Sequence, residues 1–297
     1  MNAIEMDAQH SYVREVPQIS YVQPTDPWFT RQLISRLEVL FGRNQVQAVY
    51  QQLKAKPFNA YEFFAQALAD MQIKAPVDAG QIAKIPRAGP LVFVANHPYG
   101  VVDGLILCDL AMRARGDFRI LIHAMLCQDR DLAPYFLPID FQPGKAALRN
   151  NIRSKQLALE CLSEDVPVLI FPSGMVSTAG NLGFGGVQDA PWTTFAAKLI
   201  REACADVVPV YFHGRNSRKF HVASHIAAPL RMALLMHEAL NKFGSTIRFE
   251  VGDPLPWLQL ARCETRQALT NYLYTRVQEL KLAAPAIYPQ SQYLKAS

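Results

Sequence analysis

Long apolar runs are missing from this chain. No stretch approaches the roughly 20 consecutive apolar residues that cross a bilayer, because His97, Asp103 and scattered charges interrupt the longest ones. The first 21 residues lack the basic-then-apolar order of a secretory leader. A soluble or peripheral cytoplasmic protein is expected. Cysteine is sparse: Cys108, Cys127, Cys161, Cys204 and Cys263 form no CxxC, which argues against a zinc or redox motif and suits a reducing compartment. Charge is thin as well. Charged residues make up 19% and the net charge is +5, low for a soluble protein. No basic stripe with interleaved aromatics is present, so nucleic acid is not an expected partner. The modest positive excess suits an anionic membrane surface or an acidic protein partner. No G-x-S-x-G elbow points to a serine hydrolase, and no Gly-Lys-Ser/Thr loop points to a nucleotide. Repeats and low-complexity tracts are also absent.

Half of the 297 residues are apolar, enough to fill the core of one large α/β domain with a helical extension. Residues 1 to 25 read as an irregular arm. Asp26-Pro27 is a helix start, with Pro at the first helical position. Leu33, Leu37, Leu40 and Phe41 then recur at helical spacing up to Gly42. Two more helices follow, over 44–56 and from Asn59, where Glu62 stands at capping-box spacing. These elements predict an N-terminal helical cap over residues 1–75 and an α/β domain over 76–297. In the second part, β-rich runs alternate with helical periodicity. The runs are Ile82–Ile85, Leu91–Ala95, Phe118–Ile122, Leu137–Phe141, Val166–Phe171, Val207–Phe212 and Thr246–Val251. The helices fall near 104–114, 145–163, 191–204, 229–243 and 264–282. The alternation predicts a mixed, largely parallel central sheet flanked by helices. The in-out pattern of Ile247, Phe249 and Val251 marks an edge or antiparallel strand.

Three strand ends carry the chemistry. Leu91–Ala95 runs into Asn96-His97-Pro98-Tyr99-Gly100-Val101-Val102-Asp103. Pro98 and Gly100 force a turn, so Asp103 can fold back onto one imidazole nitrogen of His97 and leave the other as a base. A structural or metal-bound histidine is the competing reading. Its place at the carboxyl end of a buried strand, and the two motifs that follow, favour catalysis. The second strand ends in Phe171-Pro172-Ser173-Gly174, where backbone N–H groups could meet an oxyanion or simply form a turn. The Gly-rich stretch 179–186 reads as a loop beside the site. The third strand ends in His213-Gly214-Arg215. Arg215 is a candidate for a carboxylate or phosphate, and His213 reads first as a core histidine. Arg218, Lys219, His221 and His225 read first as a solvated face. The motif holds no Ser or Cys nucleophile, so the base is expected to activate a substrate hydroxyl.

Together these blocks resemble the glycerophosphate and lysophospholipid acyltransferase superfamily. Its signatures are Asn-His followed by an acidic residue, then Phe-Pro-x-Gly, then a Val-Pro-Val strand. The match runs in order over residues 81 to 255. Five residues separate His97 from Asp103, as in the hemolysin-like and ornithine-lipid branch, where the commonest family version has four. In the family block Phe-Pro-Glu-Gly-Thr-Arg-Ser, Ser173, Met175 and Val176 stand here for Glu, Thr and Arg. Leu137–Phe141 falls where another family block ends in Arg, and has none. The resemblance implies acyl transfer from an acyl-carrier-protein or CoA thioester to the hydroxyl of a lyso-lipid, with His97 as base and Asp103 as its orienting partner. Asn96, Gly100, Pro172, Ser173 and Gly174 of these blocks are candidates for the substrate's surroundings, with Arg215, read above as an anion ligand, beside them; direct acyl transfer needs no cofactor and no metal. Without an Arg at Val176, the acceptor expected is a lyso-aminolipid such as lyso-ornithine lipid, ahead of a 1-acylglycerol-3-phosphate. A thioesterase and a non-catalytic lipid or acyl-carrier binding protein are the rival readings. A lipid substrate implies a place on the cytoplasmic face of a membrane, such as a bacterial inner membrane. The helices at 27–41 and 60–72, with Arg31, Arg36 and Arg43, would either lie in the interface or cap the sheet.

Overall fold

The computed structural model describes residues 27–180, 185–226 and 228–283, and five isolated positions before them (13, 14, 17, 20 and 22). Helix α1 spans Trp28–Leu40, α2 Arg43–Lys54 and α3 Ala60–Asp70. Asn59 caps α3 by accepting from the Tyr61 N–H at 3.0 Å. Pro27 lies just outside α1 in an extended conformation, one place earlier than the sequence implied, and Asp26 lies outside the described residues. The expected strand over Ile82–Ile85 is instead a single helical turn, α4 (Ala79–Ala83). The N–H of Ile82 donates to Asp78 O and that of Ile85 to Ile82 O. Two isoleucines three apart bury one side of a turn as readily as they alternate on a strand.

A six-stranded sheet follows. Its strands are β1 Leu91–Ala95, β2 Arg119–His123, β3 Phe136–Ile139, β4 Val168–Ile170, β7 Asp206–Phe212 and β8 Phe249–Val251, in the order β3-β2-β4-β1-β7-β8. A two-stranded ribbon, β5 (Thr178–Ala179) and β6 (Val187–Gln188), stands apart from it. Every pairing in the large sheet is parallel except β7 with β8, the antiparallel edge that the Thr246–Val251 pattern predicts. The crossover helices are α5 (Val101–Arg115), α6 (Lys145–Ser163) and α7 (Phe195–Ala203). Helices α8 (Arg218–Ile226) and α9 (Ala228–Leu240) connect β7 to β8, and α10 (Trp257–Leu260) and α11 (Arg266–Ala283) close the chain. Expected helix limits shift by a few residues, and α8 lies where the sequence pattern assigned no element.

Strand β1 is buried along its whole length, so its side chains alternate between two apolar layers. Leu91, Phe93 and Ala95 join Phe64, Leu110, Phe118 and Val208 on one side. Val92 and Val94 join Val168, Ile200, Leu273 and Val277 on the other. Helix α3 therefore packs into the same core as the sheet, while α1 lies along α9. None of the helices among the described residues is long and apolar enough to cross a membrane.

Candidate active site

Strand β1 lies between β4 and β7 and runs parallel to both. Three loops far apart in sequence therefore leave the sheet at one edge: that of His97 after β1, that of Ser173 after β4, and that of His213 after β7. This is the carboxyl edge where open α/β sheets place their ligands.

Asn96 fixes the middle loop. Its amide donates to Phe212 O at 2.9 Å and accepts from the Phe212 N–H at 2.7 Å, extending the β1–β7 ladder by one residue. It holds strand ends together, whereas the sequence reading placed it on substrate. The next residue, His97, stacks on Phe171 with ring centroids 3.9 Å apart. Its Nδ1 is buried and lies 3.2 Å from Asp103 Oδ2, an ion-pair distance out of line for a hydrogen bond. The side chain is 17% exposed, and Nε2 is the ring nitrogen that does not face Asp103.

Asp103 is fully buried in the first turn of α5. Oδ2 also accepts from the N–H groups of Tyr99 at 2.7 Å and Gly100 at 3.1 Å, half of a capping box. Oδ1 has no partner among the described residues. Burial raises the Asp103 pKa, while His97 and the two backbone donors pull it back. Gly100 takes φ 72° and ψ −123°, a region closed to other residues. Its N–H can thus turn towards Asp103.

The Pro-Ser-Gly turn is more closed than its sequence suggested. The Gly174 N–H donates to Phe171 O at 2.9 Å, so in this conformation it is not free for an oxyanion. The Ser173 hydroxyl donates to Met175 O at 2.9 Å, and Pro172 O accepts from the Thr193 N–H at 3.0 Å. The ring of Phe141 closes over Gly174. A depression of about 590 Å³ opens beside it, lined by Phe141, Lys145, Leu148 and Asn151.

The third loop reaches the site through Tyr99, whose hydroxyl donates to His213 O at 2.9 Å. A side chain at Gly214 would put its Cβ 1.6 Å from that hydroxyl, on a backbone with φ 112°, so only glycine fits. Arg215 is exposed, with Nη1 3.5 Å from Gly185 O. His213 is half-buried, Nε2 lies 3.5 Å from Glu250, and burial lowers its pKa. His221, read from sequence as part of a solvated face, has no exposed surface.

Long-range partners that the sequence did not reveal hold these loops. Asp189 accepts from the His97 N–H at 3.2 Å, from the Ser177 hydroxyl, and from Trp192 Nε1 at 2.9 Å. Lys242 places Nζ 4.7 Å over the Tyr99 ring and donates to Arg215 O at 3.3 Å. Arg231 donates to the carbonyl of Val176 at 2.7 Å. No local pattern announces any of the three.

A family model described as Acyltransferase matches residues 63–282. The chain belongs to this acyltransferase family. Two curated proteins named lyso-glycine lipid O-acyltransferase are similar to it. The one from Bacteroides thetaiotaomicron is 31% identical over 216 residues, 70% of this chain and 76% of that protein. The one from Phocaeicola vulgatus is 30% identical over 201 residues, 65% and 69% of the two chains. A crystal structure of PlsC, the 1-acyl-sn-glycerophosphate acyltransferase of Thermotoga maritima, shares the fold with a TM-score of 0.51 at 15% identity, over 88% of this chain and 91% of that one. The acyltransferase match spans all three strand ends and the loops they carry.

Proposed function

We propose that this acyltransferase moves a fatty acyl group from a carrier-protein or CoA thioester to the hydroxyl of a lyso-aminolipid. His97 is the general base and Asp103 its orienting partner. The observation that carries this reading is the 3.2 Å approach of Nδ1 to a buried carboxylate at the sheet edge. Nε2 takes the hydroxyl proton as the oxygen attacks the thioester carbonyl, and Asp103 steadies the imidazolium. Collapse of the tetrahedral intermediate breaks the C–S bond, and the proton passes to the departing thiolate. The acceptor class is an N-(3-hydroxyacyl) amino acid, whose free hydroxyl is the nucleophile. The names of the two similar proteins favour a glycine head group over the ornithine expected from sequence.

Two surfaces support the partners. On α1, Trp28, Phe29, Leu33 and Leu40 point outward beside exposed Arg31 and Arg36, the make-up of an element lying in a lipid interface. It supports a peripheral position at a membrane surface, which this reading places on the cytoplasmic face. Near the Pro-Ser-Gly turn, exposed Lys145 and Arg149 flank Leu148 and Phe141. An acidic carrier or the phosphates of CoA would suit that stripe.

The test is one assay with a labelled acyl-carrier thioester and four conditions: N-(3-hydroxyacyl)glycine, lyso-ornithine lipid, lysophosphatidic acid and no acceptor. O-acylated aminolipid is the expected product. Donor hydrolysis that ignores the acceptor would make the protein a thioesterase, and acylation of lysophosphatidic acid alone would make it a phospholipid enzyme.

A further inference from the structure

Arg231 on α9 is a cation without an anion. Its Nη2 bonds Val176 O, and its guanidinium sits 5.6 Å over the Phe220 ring. Val176, Phe220 and Leu234 form an apolar cluster there. Among the described residues no carboxylate reaches it, and burial alone lowers its pKa. One carbonyl leaves most of its five N–H donors unused. A cation drawn out of water without a counter-charge is costly, and an arriving anion recovers that cost.

Two more residues, His221 and its neighbour Asn216, carry buried side-chain atoms without hydrogen-bond partners. His221 lies within charge range of Arg231 and against the Asn216 backbone. It accepts the Ala179 N–H on Nδ1, and its Nε2 makes no hydrogen bond. Asn216 is 1% exposed, and both polar atoms of its side chain are unpartnered. Buried groups left in this state are rare in folded proteins and call for a bound polar group. The charges that act on His221 are Arg215, Arg231 and His225, all of one sign.

Arg231 is also close to the chemistry. The peptide whose carbonyl it holds, Val176–Ser177, donates its N–H to His97 O at 2.8 Å. One peptide unit and two hydrogen bonds separate the guanidinium from the backbone of the base. In an N-(3-hydroxyacyl)glycine the carboxylate carbon and the reacting oxygen are joined by six bonds, an extended reach on the order of 7 Å.

We infer that Arg231, with His221 and Asn216 as neighbouring donors, binds the head-group carboxylate of the acceptor and so selects amino-acid lipids. This rests on the lyso-aminolipid reading above. A planar guanidinium can grip a carboxylate through two parallel hydrogen bonds. Arg215, exposed on the neighbouring loop, is then not the head-group ligand.

The experiment compares N-(3-hydroxyacyl)glycine with its carboxamide as acceptors, for the wild type, Arg231→Gln and Arg231→Lys, with melting temperatures recorded. The wild type is expected to prefer the carboxylate at least tenfold in kcat/KM. Arg231→Gln should lose that preference to within about twofold while still acylating the carboxamide, and Arg231→Lys should keep part of it. If Arg231→Gln does not fold, the reduced preference of Arg231→Lys decides. Inhibition by an N-acylglycine that lacks the hydroxyl should follow the same order. A preference unchanged in the variants, or equal loss on both acceptors, would overturn the site and make Arg231 a structural residue. A wild type active on both acceptors alike would also overturn the site but leave the acyl-transfer reading standing. A wild type inactive on both would remove that reading, and the site with it.

Discussion

Two backbone N–H groups, of Tyr99 and Gly100, donate to Oδ2 of Asp103, and Nδ1 of His97 lies at ion-pair distance from the same oxygen. Substitutions separate the two duties of that oxygen. Asp103→Asn keeps an acceptor for the backbone donors but loses the charge that steadies an imidazolium. Its kcat should fall on the order of 100-fold or more with the melting temperature nearly unchanged. Asp103→Ala strands two buried N–H groups and should destabilise the fold by about 1–3 kcal/mol for each, read from denaturant melts. Full activity in the Asn variant would remove Asp103 from the chemistry. The His97–Asp103 pair was legible in sequence because a turn of a few residues joins its members. Asp189 was not, since it stands 92 positions from the residue it holds, and Arg231 stands 55 from Val176. Only the packed sheet brings them near.

Two contacts between elements carry predictions of their own. Asn96 joins the ends of β1 and β7 with two buried hydrogen bonds. Asn96→Ala should cost about 2 kcal/mol or more, since it leaves the Phe212 N–H and C=O unpaired. A melt that matches wild type would contradict the ladder role. Helix α8 docks on β5 through His221, whose Nδ1 takes the Ala179 N–H. Burial, then the cations Arg215, Arg231 and His225, hold its pKa down to about 4 against an ordinary value of 6.5, with the Asn216 backbone acting the other way. Between those values the unfolded chain binds more protons. Stability therefore rises with pH across that interval and is lost as pH falls from 6.5 towards 4. His221→Gln should remove most of that acid sensitivity, at most about 3 kcal/mol, seen as a shallower slope of melting temperature against pH. Equal slopes in both proteins would show that His221 does not titrate as the packing implies. The strand pattern was readable because β1, β4 and β7 are short, continuous apolar runs. Helix α8 escaped because its polar residues hide a buried His221 and Phe220, and α4 because five residues are too few to show a period.

Across the molecule, the parallel order β4-β1-β7 turns three distant motifs into one edge. The sequence supplied the motifs in order but not their neighbours, because adjacency in a sheet is set by packing. The outward apolar side of α1 should anchor the protein. Trp28→Glu with Phe29→Glu is expected to cut sedimentation with anionic vesicles severalfold while leaving turnover of a detergent-dispersed acceptor intact. Unchanged sedimentation would assign that face another role. The most direct measurement of the whole proposal is single-turnover acyl transfer to N-(3-hydroxyacyl)glycine by the wild type and His97→Ala, with folding checked by circular dichroism. The expected result is a labelled diacyl product from the wild type and a rate lower by ~100- to 10,000-fold in a folded His97→Ala. Product formed at the wild-type rate without the imidazole would contradict it.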